Sequence, residues 1–225
     1  MKVIAIIQAR MSSTRLPAKV MLDLCGKTLL ERVVDRVLLS KVINEIWIAT
    51  SSEKEDDLVE KLAKKLNVNC YRGSLLNVLE RFYQTSKLAE ADIIVRITAD
   101  NPLTEPSFIN LSVEEIIRNN YEYVGFENIP LGSGVEAFTM ESFEVLRNKN
   151  NLDKNNYEHV TSYYYQNREE YNVKKIKNIY SESKSDIRVT VDTLNDYIFM
   201  AKYYHELIER EINPRNFMEY LLSKN

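Results

Sequence analysis

The sequence predicts an α/β protein built on a parallel sheet, and three observations carry that reading. Apolar runs at residues 3–7, 45–50, 68–71 and 92–98 have the length of buried strands. A stretch with helical spacing of apolar residues follows each run. Polar, turn-forming segments separate strand from helix. Such alternation produces βαβ units, whose crossovers are right-handed.

The first strand, VIAII, is too short to cross a membrane. It gives way at once to residues 8–19, QARMSSTRLPAK, which hold three cations, three hydroxyls and no acid. Thr28 then caps a helix whose Leu29, Leu30, Val33, Val34, Val37 and Leu38 share one face. After the strand at 45–50, Ser51 and Ser52 start a charged helix to Lys65, with Leu58, Leu62 and Leu66 in i, i+4 register. The strand at 68–71 leads into Arg72-Gly73-Ser74, where Ser74 caps the next helix. The strand at 92–98 ends at Ala99-Asp100-Asn101-Pro102, and Pro106 opens a helix to Asn119. Residues 121–126 form a further strand.

Beyond this point the rhythm changes. Residues 130–134 make a turn, 135–139 a short strand and 141–147 a helix. A polar spacer with five asparagines covers 148–156, and a tyrosine-rich helix covers 157–166. Residues 173–179 form a loosely alternating strand, 181–185 a polar turn and 187–191 another strand. Thr193 caps a long helix with Tyr197, Ile198, Met200, Ala201, Tyr204 and Leu207 on one side, and Pro214 breaks it before a last short helix. No repeat, low-complexity tract or long linker appears.

Composition narrows the functional classes. The formal charge of -3 argues against a nucleic-acid backbone as main partner. The five glycines form neither a P-loop nor a GxGxxG loop. Cys25 and Cys70 are too few for a disulfide framework, and reduced thiols in a cytoplasmic protein are expected. No signal-peptide core precedes Gln8, and no membrane span is expected.

A cationic loop leaving the carboxyl end of a buried parallel strand is where open α/β sheets bind ligands. Arg10, Arg15 and Lys19 suit a triphosphate, since arginine offers planar bidentate donors and lysine a compact charge. Ser13 and its neighbours add hydroxyls. A solvated basic loop is the alternative. Asp100, beyond the end of RIT, faces the same sheet edge, and Asp192 ends RVTV. Magnesium takes one or two carboxylates and completes its shell with water and phosphate oxygens, so this pair suits Mg2+. An Asx turn before Pro102 and a position beside a helix start account for each acid separately. Glu136 and His159 are candidate contacts to a polyol acceptor. A plain strand carboxylate and a packed helical histidine are the alternatives. Arg72, Gly73 and Ser74 at their corner are candidates for base or ribose. Neither histidine has a zinc-spaced partner.

These motifs resemble the cytidylyltransferase family typified by the spore-coat polysaccharide protein SpsF and related to the acylneuraminate and KDO cytidylyltransferases. The resemblance rests on QARMSSTRLPAKV and GKTLLERVVDRV, then IATSSEKEDD, YRGSLLNVLERF, VRITADNPLTEP, YEHVTSYYY and DIRVTVDTLNDY, and so spans most of residues 1–200. It implies a nucleotide-diphospho-sugar transferase fold: a three-layer α/β/α sandwich around a mixed, mainly parallel sheet. The implied domain is a single one, with residues 1–126 binding nucleotide and 127–225 serving acceptor and dimerisation. The implied reaction transfers a nucleotidyl group from CTP to a sugar or sugar acid, with loss of pyrophosphate, in surface glycan synthesis. By resemblance, Arg10 and Lys19 neutralise the triphosphate with Arg15 assisting, Gln8 and Ala9 line the base, and Arg72 to Ser74 close over base and ribose. Asp100 holds Mg2+, with Asp192 as second acid. A homodimer is expected.

Two positions depart from the family pattern. Ala18 stands where a glycine often precedes the lysine, so an ordinary backbone conformation is expected there. Gly132-Ser133-Gly134-Val135-Glu136 stands where Gly-Leu-Asp-Val-Glu is expected, so an acid is missing at Gly134. That points to a different acceptor, or to weaker metal binding. The competing readings are GTP with a sugar phosphate, a glycosyltransferase of the same fold, and an inactive nucleotide-binding protein. No two aspartates lie two apart, which counts against a glycosyltransferase DxD motif.

Overall fold

The computed structural model describes residues 1–177 and 186–224. One seven-stranded sheet has the order β3-β2-β1-β4-β6-β5-β7. Its strands are β1 (Val3–Gln8), β2 (Glu45–Ser51), β3 (Asn69–Gly73), β4 (Ile93–Thr98), β5 (Tyr123–Glu127), β6 (Glu136–Thr139) and β7 (Val173–Lys177). Only β6 runs antiparallel to its neighbours. The sheet is therefore mixed and mainly parallel. Buried on both faces, β1 reads as a continuous apolar run.

Helices α1 (Leu29–Leu38), α2 (Asp57–Lys65) and α4 (Pro106–Asn119) cover one face. Helices α3 (Val78–Leu88), α5 (Met140–Arg147), α6 (Lys154–Glu158) and α7 (Ser162–Gln166) lie toward the other. A third apolar cluster joins α8 (Leu194–Glu209) and α9 (Phe217–Ser223) to Leu24, Leu29, Leu103, Val189 and Val191. This cluster seats the C-terminal helices beside the loop that follows β1.

Local chemistry explains the elements that match expectation. Thr28 and Glu31 form a full capping box at the start of α1. Thr193 and Asp196 do the same for α8. Other expectations need correction. Leu38 turns to solvent, 64% exposed. Helix α2 starts at Asp57, after a 3-10 turn at Lys54–Asp56. Asn77, not Ser74, caps α3; the Ser74 hydroxyl accepts from the Asn77 N–H instead. The tyrosine-rich helix is two short helices with a break between them. Residues 187–191 make one isolated β-bridge, Leu131 with Arg188, and are no strand of the sheet. The predicted turn at 181–185 lies outside the described residues. On α8 the buried side is Met200, Tyr203, Tyr204 and Leu207, while Ile198 is exposed.

Strand order reverses between β1 and β4: β2 and β3 extend to one side of β1, while β4 lies on the other. In open α/β sheets the crevice beyond the carboxyl ends at such a point holds ligand. Gln8 and Thr98 are register partners there.

Candidate active site

A cleft of about 470 Å³ opens at that point. Its cationic wall is Arg10, Arg15 and Lys19; Asp100 and Asp192 face them, and Gln8, Ser13 and His159 also line it.

The loop after β1 is held from below. Asp56, 2% exposed, accepts from the Met11 N–H at 2.7 Å and from the Ser51 N–H at 3.0 Å. The Ser51 hydroxyl donates to the same carboxylate. Ala18 N–H then donates to the Met11 carbonyl at 2.9 Å, and a 3-10 turn follows at Lys19–Met21. Ala18 sits at φ 55°, in the left-handed region, contrary to the ordinary conformation expected of alanine. Strain of this kind costs on the order of 1 kcal/mol and persists where surrounding structure over-determines it. Here Val20, buried just beyond, and the Met11 contact fix the path that delivers Lys19.

The Lys19 ammonium lies between the two acids, 2.7 Å from Asp100 Oδ2 and 2.9 Å from Asp192 Oδ1. It also donates to the Val191 carbonyl at 2.9 Å. Arg15 reaches Asp192 at 2.7 Å, and Arg188 pairs with its other oxygen. Thr98 donates to Asp100 Oδ1 at 2.6 Å. Burial pushes the Asp192 carboxyl up, but the hydrogen bond and charge of Lys19, with Arg15 and Arg188, outweigh it and hold it below the usual range. Arg10 reaches out to Glu158 at 3.7 Å.

The two carboxylates thus converge on one point that already holds a cation. The donor set fits a divalent metal: two hard oxygens from protein, with an open cleft for water and phosphate. Among the described residues no group of three or more His, Cys, Asp or Glu is placed to hold a metal. A metal here would take these two acids and draw its other ligands from solvent and bound phosphate.

A second cleft of about 380 Å³ adjoins the first and shares Arg96, Thr98, Asn101, Leu131 and Gly132 with it. Glu136 lines this one. Its carboxylate receives Arg96 Nη1 at 2.5 Å, Thr161 Oγ1 at 2.8 Å and the Tyr123 hydroxyl. Burial raises its pKa, but Arg96, Tyr123 and Thr161 more than reverse that, and it stays ionised below the ordinary glutamate range.

The structure does not gather every candidate residue. Ala9 is buried and lines neither cleft; its N–H donates to the Ala49 carbonyl at 3.2 Å. His159 lines the first cleft, with Glu158, rather than the one beside Glu136. Arg72, Gly73 and Ser74 stay outside both clefts. They sit at the end of the edge strand β3, two strands from the reversal point. The Arg72 guanidinium is spent on Asp57 at 2.6 Å, Glu60 at 2.8 Å and the Ser51 and Glu53 carbonyls. Sequence reasoning missed Arg96, Asn101, Lys175 and Arg188. Arg96 left a signal, a lone charge inside the apolar strand IIVRIT.

Comparison with known proteins returns a family and several relatives. A family model described as Cytidylyltransferase matches residues 4–221. An uncharacterised protein of Methanocaldococcus jannaschii is 42% identical over 207 residues, 92% of this chain and 83% of that one. The spore coat polysaccharide biosynthesis protein SpsF of Bacillus subtilis is 30% identical over 227 residues, 99% of this chain and 95% of that one. A solved cytidylyltransferase from Leptospira borgpetersenii superimposes with a TM-score of 0.89 at 29% identity, covering 100% of this chain and 95% of the other.

Proposed function

The chain belongs to the cytidylyltransferase family and is a nucleotidyltransferase, and on that premise we propose that it transfers CMP from CTP to a sugar or sugar acid, with Mg2+, for surface polysaccharide synthesis. The observation that carries the reading is the convergence of Asp100 and Asp192 on the Lys19 ammonium, beside Arg10 and Arg15. In this reading the acceptor oxygen bonds to the α-phosphorus, the bond to the β-phosphate oxygen breaks, and pyrophosphate leaves. The acceptor's proton passes to water in the cleft.

Phosphoryl chemistry asks a protein mainly for positioning and charge. Arg10, Arg15 and Lys19 neutralise the triphosphate, and Ser13 adds a hydroxyl. Gln8 lines the cleft, and its Oε1, buried and without a partner among the described residues, is a spare acceptor for a nucleotide donor. Asp100 and Asp192 would hold Mg2+, which would supply positive charge to the phosphates. Lys19 must then leave the point between the acids, and the incoming triphosphate offers it a stronger anion. Residues 1–126 supply most of the nucleotide cleft's lining and charge, Glu158, His159 and Asp192 come from 127–225, and both parts line the second cleft. The homodimer belongs to this reading too: α8 leaves Leu194, Ile198 and Phe199 exposed. Light scattering that returns a monomer at micromolar concentration removes it.

The test is a thermal-shift series with CTP, GTP, UTP and ATP, each with and without Mg2+. A ligand at about 100 times its dissociation constant adds roughly 2.7 kcal/mol, a shift of several degrees for this length. The expected result is a Mg2+-dependent shift with CTP above the others. A larger shift with GTP replaces the donor and points to a sugar phosphate. No shift with any triphosphate overturns the reading.

A further inference from the structure

Around the point taken by the Lys19 ammonium, each acid turns one oxygen inward and has the other held by a separate protein group. Asp100 presents Oδ2 to Lys19 at 2.7 Å, while its Oδ1 accepts from the Thr98 hydroxyl at 2.6 Å. Asp192 presents Oδ1 to Lys19 at 2.9 Å and to Arg15 at 2.7 Å. Its Oδ2 pairs instead with Arg188 Nη2 at 2.5 Å. One oxygen of each carboxylate is thus left to a cation, and the second is pinned.

Both pins are supported. Thr98 is the last residue of β4, so the strand sets its hydroxyl. Arg188 lines neither cleft. Its Nε donates to Asp196 Oδ1 at 3.1 Å. Asp196 Oδ2 in turn accepts from the Asp192 N–H at 3.0 Å and the Thr193 N–H at 2.8 Å, at the start of α8. Arg188 is therefore braced between two acids, one facing the cleft and one built into a helix cap. Exposed ion pairs contribute little, but the Asp192 side chain is only 13% exposed. Without the brace, its carboxylate is free to turn both oxygens toward the cleft.

The number of oxygens offered matters to a cation. Magnesium wants near-octahedral ligands at about 2.0–2.1 Å and keeps several waters, whereas calcium takes about six to eight oxygens at about 2.3–2.6 Å and accepts both oxygens of one carboxylate. A guanidinium on Oδ2 also sets like charge against any cation that approaches that oxygen. We propose that Arg188 is a positioning residue which, with Thr98, limits the paired acids to one oxygen each and so makes the site select a magnesium-sized cation against calcium. The inference rests on the proposed metal-assisted transfer and deepens it to a choice of ion. Arg188 acts through Asp192 alone.

The experiment titrates CTP into the full chain by calorimetry, at saturating Mg2+ and at saturating Ca2+, with no acceptor present, so binding is read without turnover. Partners that orient metal ligands typically change metal affinity about 10–100-fold when lost. The parent chain is expected to bind CTP at least about tenfold more tightly with Mg2+ than with Ca2+. Arg188→Gln is expected to cut that ratio about tenfold, and Arg188→Lys to restore part of it. Thr98→Val is expected to move the ratio as Arg188→Gln does, and it carries the test if Arg188→Gln fails to fold. A ratio unchanged in variants that melt normally, equal weakening with both ions, or a parent chain that binds CTP equally with either ion overturns the inference and spares the CTP reading. A preference for Mg2+ that appears with GTP in place of CTP, and is lost in Arg188→Gln, retires the CTP reading and upholds the inference. No binding of either triphosphate with either ion overturns both.

Discussion

The two clefts share Arg96 yet are held by opposite devices. In the first, Lys19 bridges Asp100 and Asp192, and under the proposed function these groups would re-pair when nucleotide and metal bind. In the second, Glu136 is locked by Arg96, Thr161 and Tyr123 before any ligand comes. The first site stores its charges in exchangeable pairs. The second uses its acid as scaffold. The difference separates residues whose loss costs turnover from residues whose loss costs stability.

Four substitutions and titrations break or sharpen that division. Glu136→Ala strips the partner from Arg96, whose side chain is 15% exposed. Breaking such a pair costs about 3–5 kcal/mol, so the melting temperature should fall by roughly 10 °C. A normal melt would put Glu136 in the exchangeable class. Asp100→Asn should cut pyrophosphate release about 10²–10³-fold and leave the melt nearly unchanged. A collapsed fold would make Asp100 scaffold as well.

Acid titration comes next. Asp192 and Glu136 both have folded pKa values below their ordinary ones. The unfolded chain therefore binds more protons as pH falls below about 4, and the stability these groups contribute is complete above that pH. The melting temperature should decline below about pH 4, and Asp192→Asn or Glu136→Gln should each flatten the decline. An identical slope in a variant removes that residue from the account. The smallest effect is Ala18→Gly. It relieves a left-handed alanine at a strain of about 1 kcal/mol, offset in part by the extra freedom of glycine when unfolded. A rise of about 2 °C is expected in a differential scanning measurement, with CTP affinity unchanged. A fall would mean that Ala18 packs as well as bends.

What could be read from the chain follows how local its cause is. Thr28 as the cap of α1 is legible from its own position, and it caps as read, with Glu31 completing a capping box. Asp100 follows its strand by two positions, so strand and sheet edge place it together. Asp192 reached the cleft by another route. It was expected at a strand end, but its segment makes only an isolated bridge and is held by Lys19, Arg15 and Arg188, partners distant in the chain or unread. Arg72 shows the limit. A strand-to-helix corner is local, but which strand becomes the edge is not, and the carboxylates that claim Arg72 lie on α2. His159 falls in a helix break that tyrosine periodicity conceals. Ile129 lies against Gly134 in the second cleft, a contact which the spacing of the motif does not announce.

The stitch between residue 131 and the segment 187–191 has a thermodynamic consequence. Leu131 N–H donates to the Ile187 carbonyl at 2.9 Å, Val189 N–H to the Leu131 carbonyl at 2.8 Å, and Val191 N–H to the Asp100 carbonyl at 2.8 Å. One short ribbon thus meets Leu131, which lines both clefts, and carries Asp192 into the first. A ligand that steadies the ribbon from either side lowers the ordering cost left for the other, and the coupling is reciprocal: nucleotide sharpens acceptor binding by the factor by which acceptor sharpens nucleotide binding. Amide hydrogen exchange at Leu131 and Val189 reads this directly, and should slow when either space alone is filled.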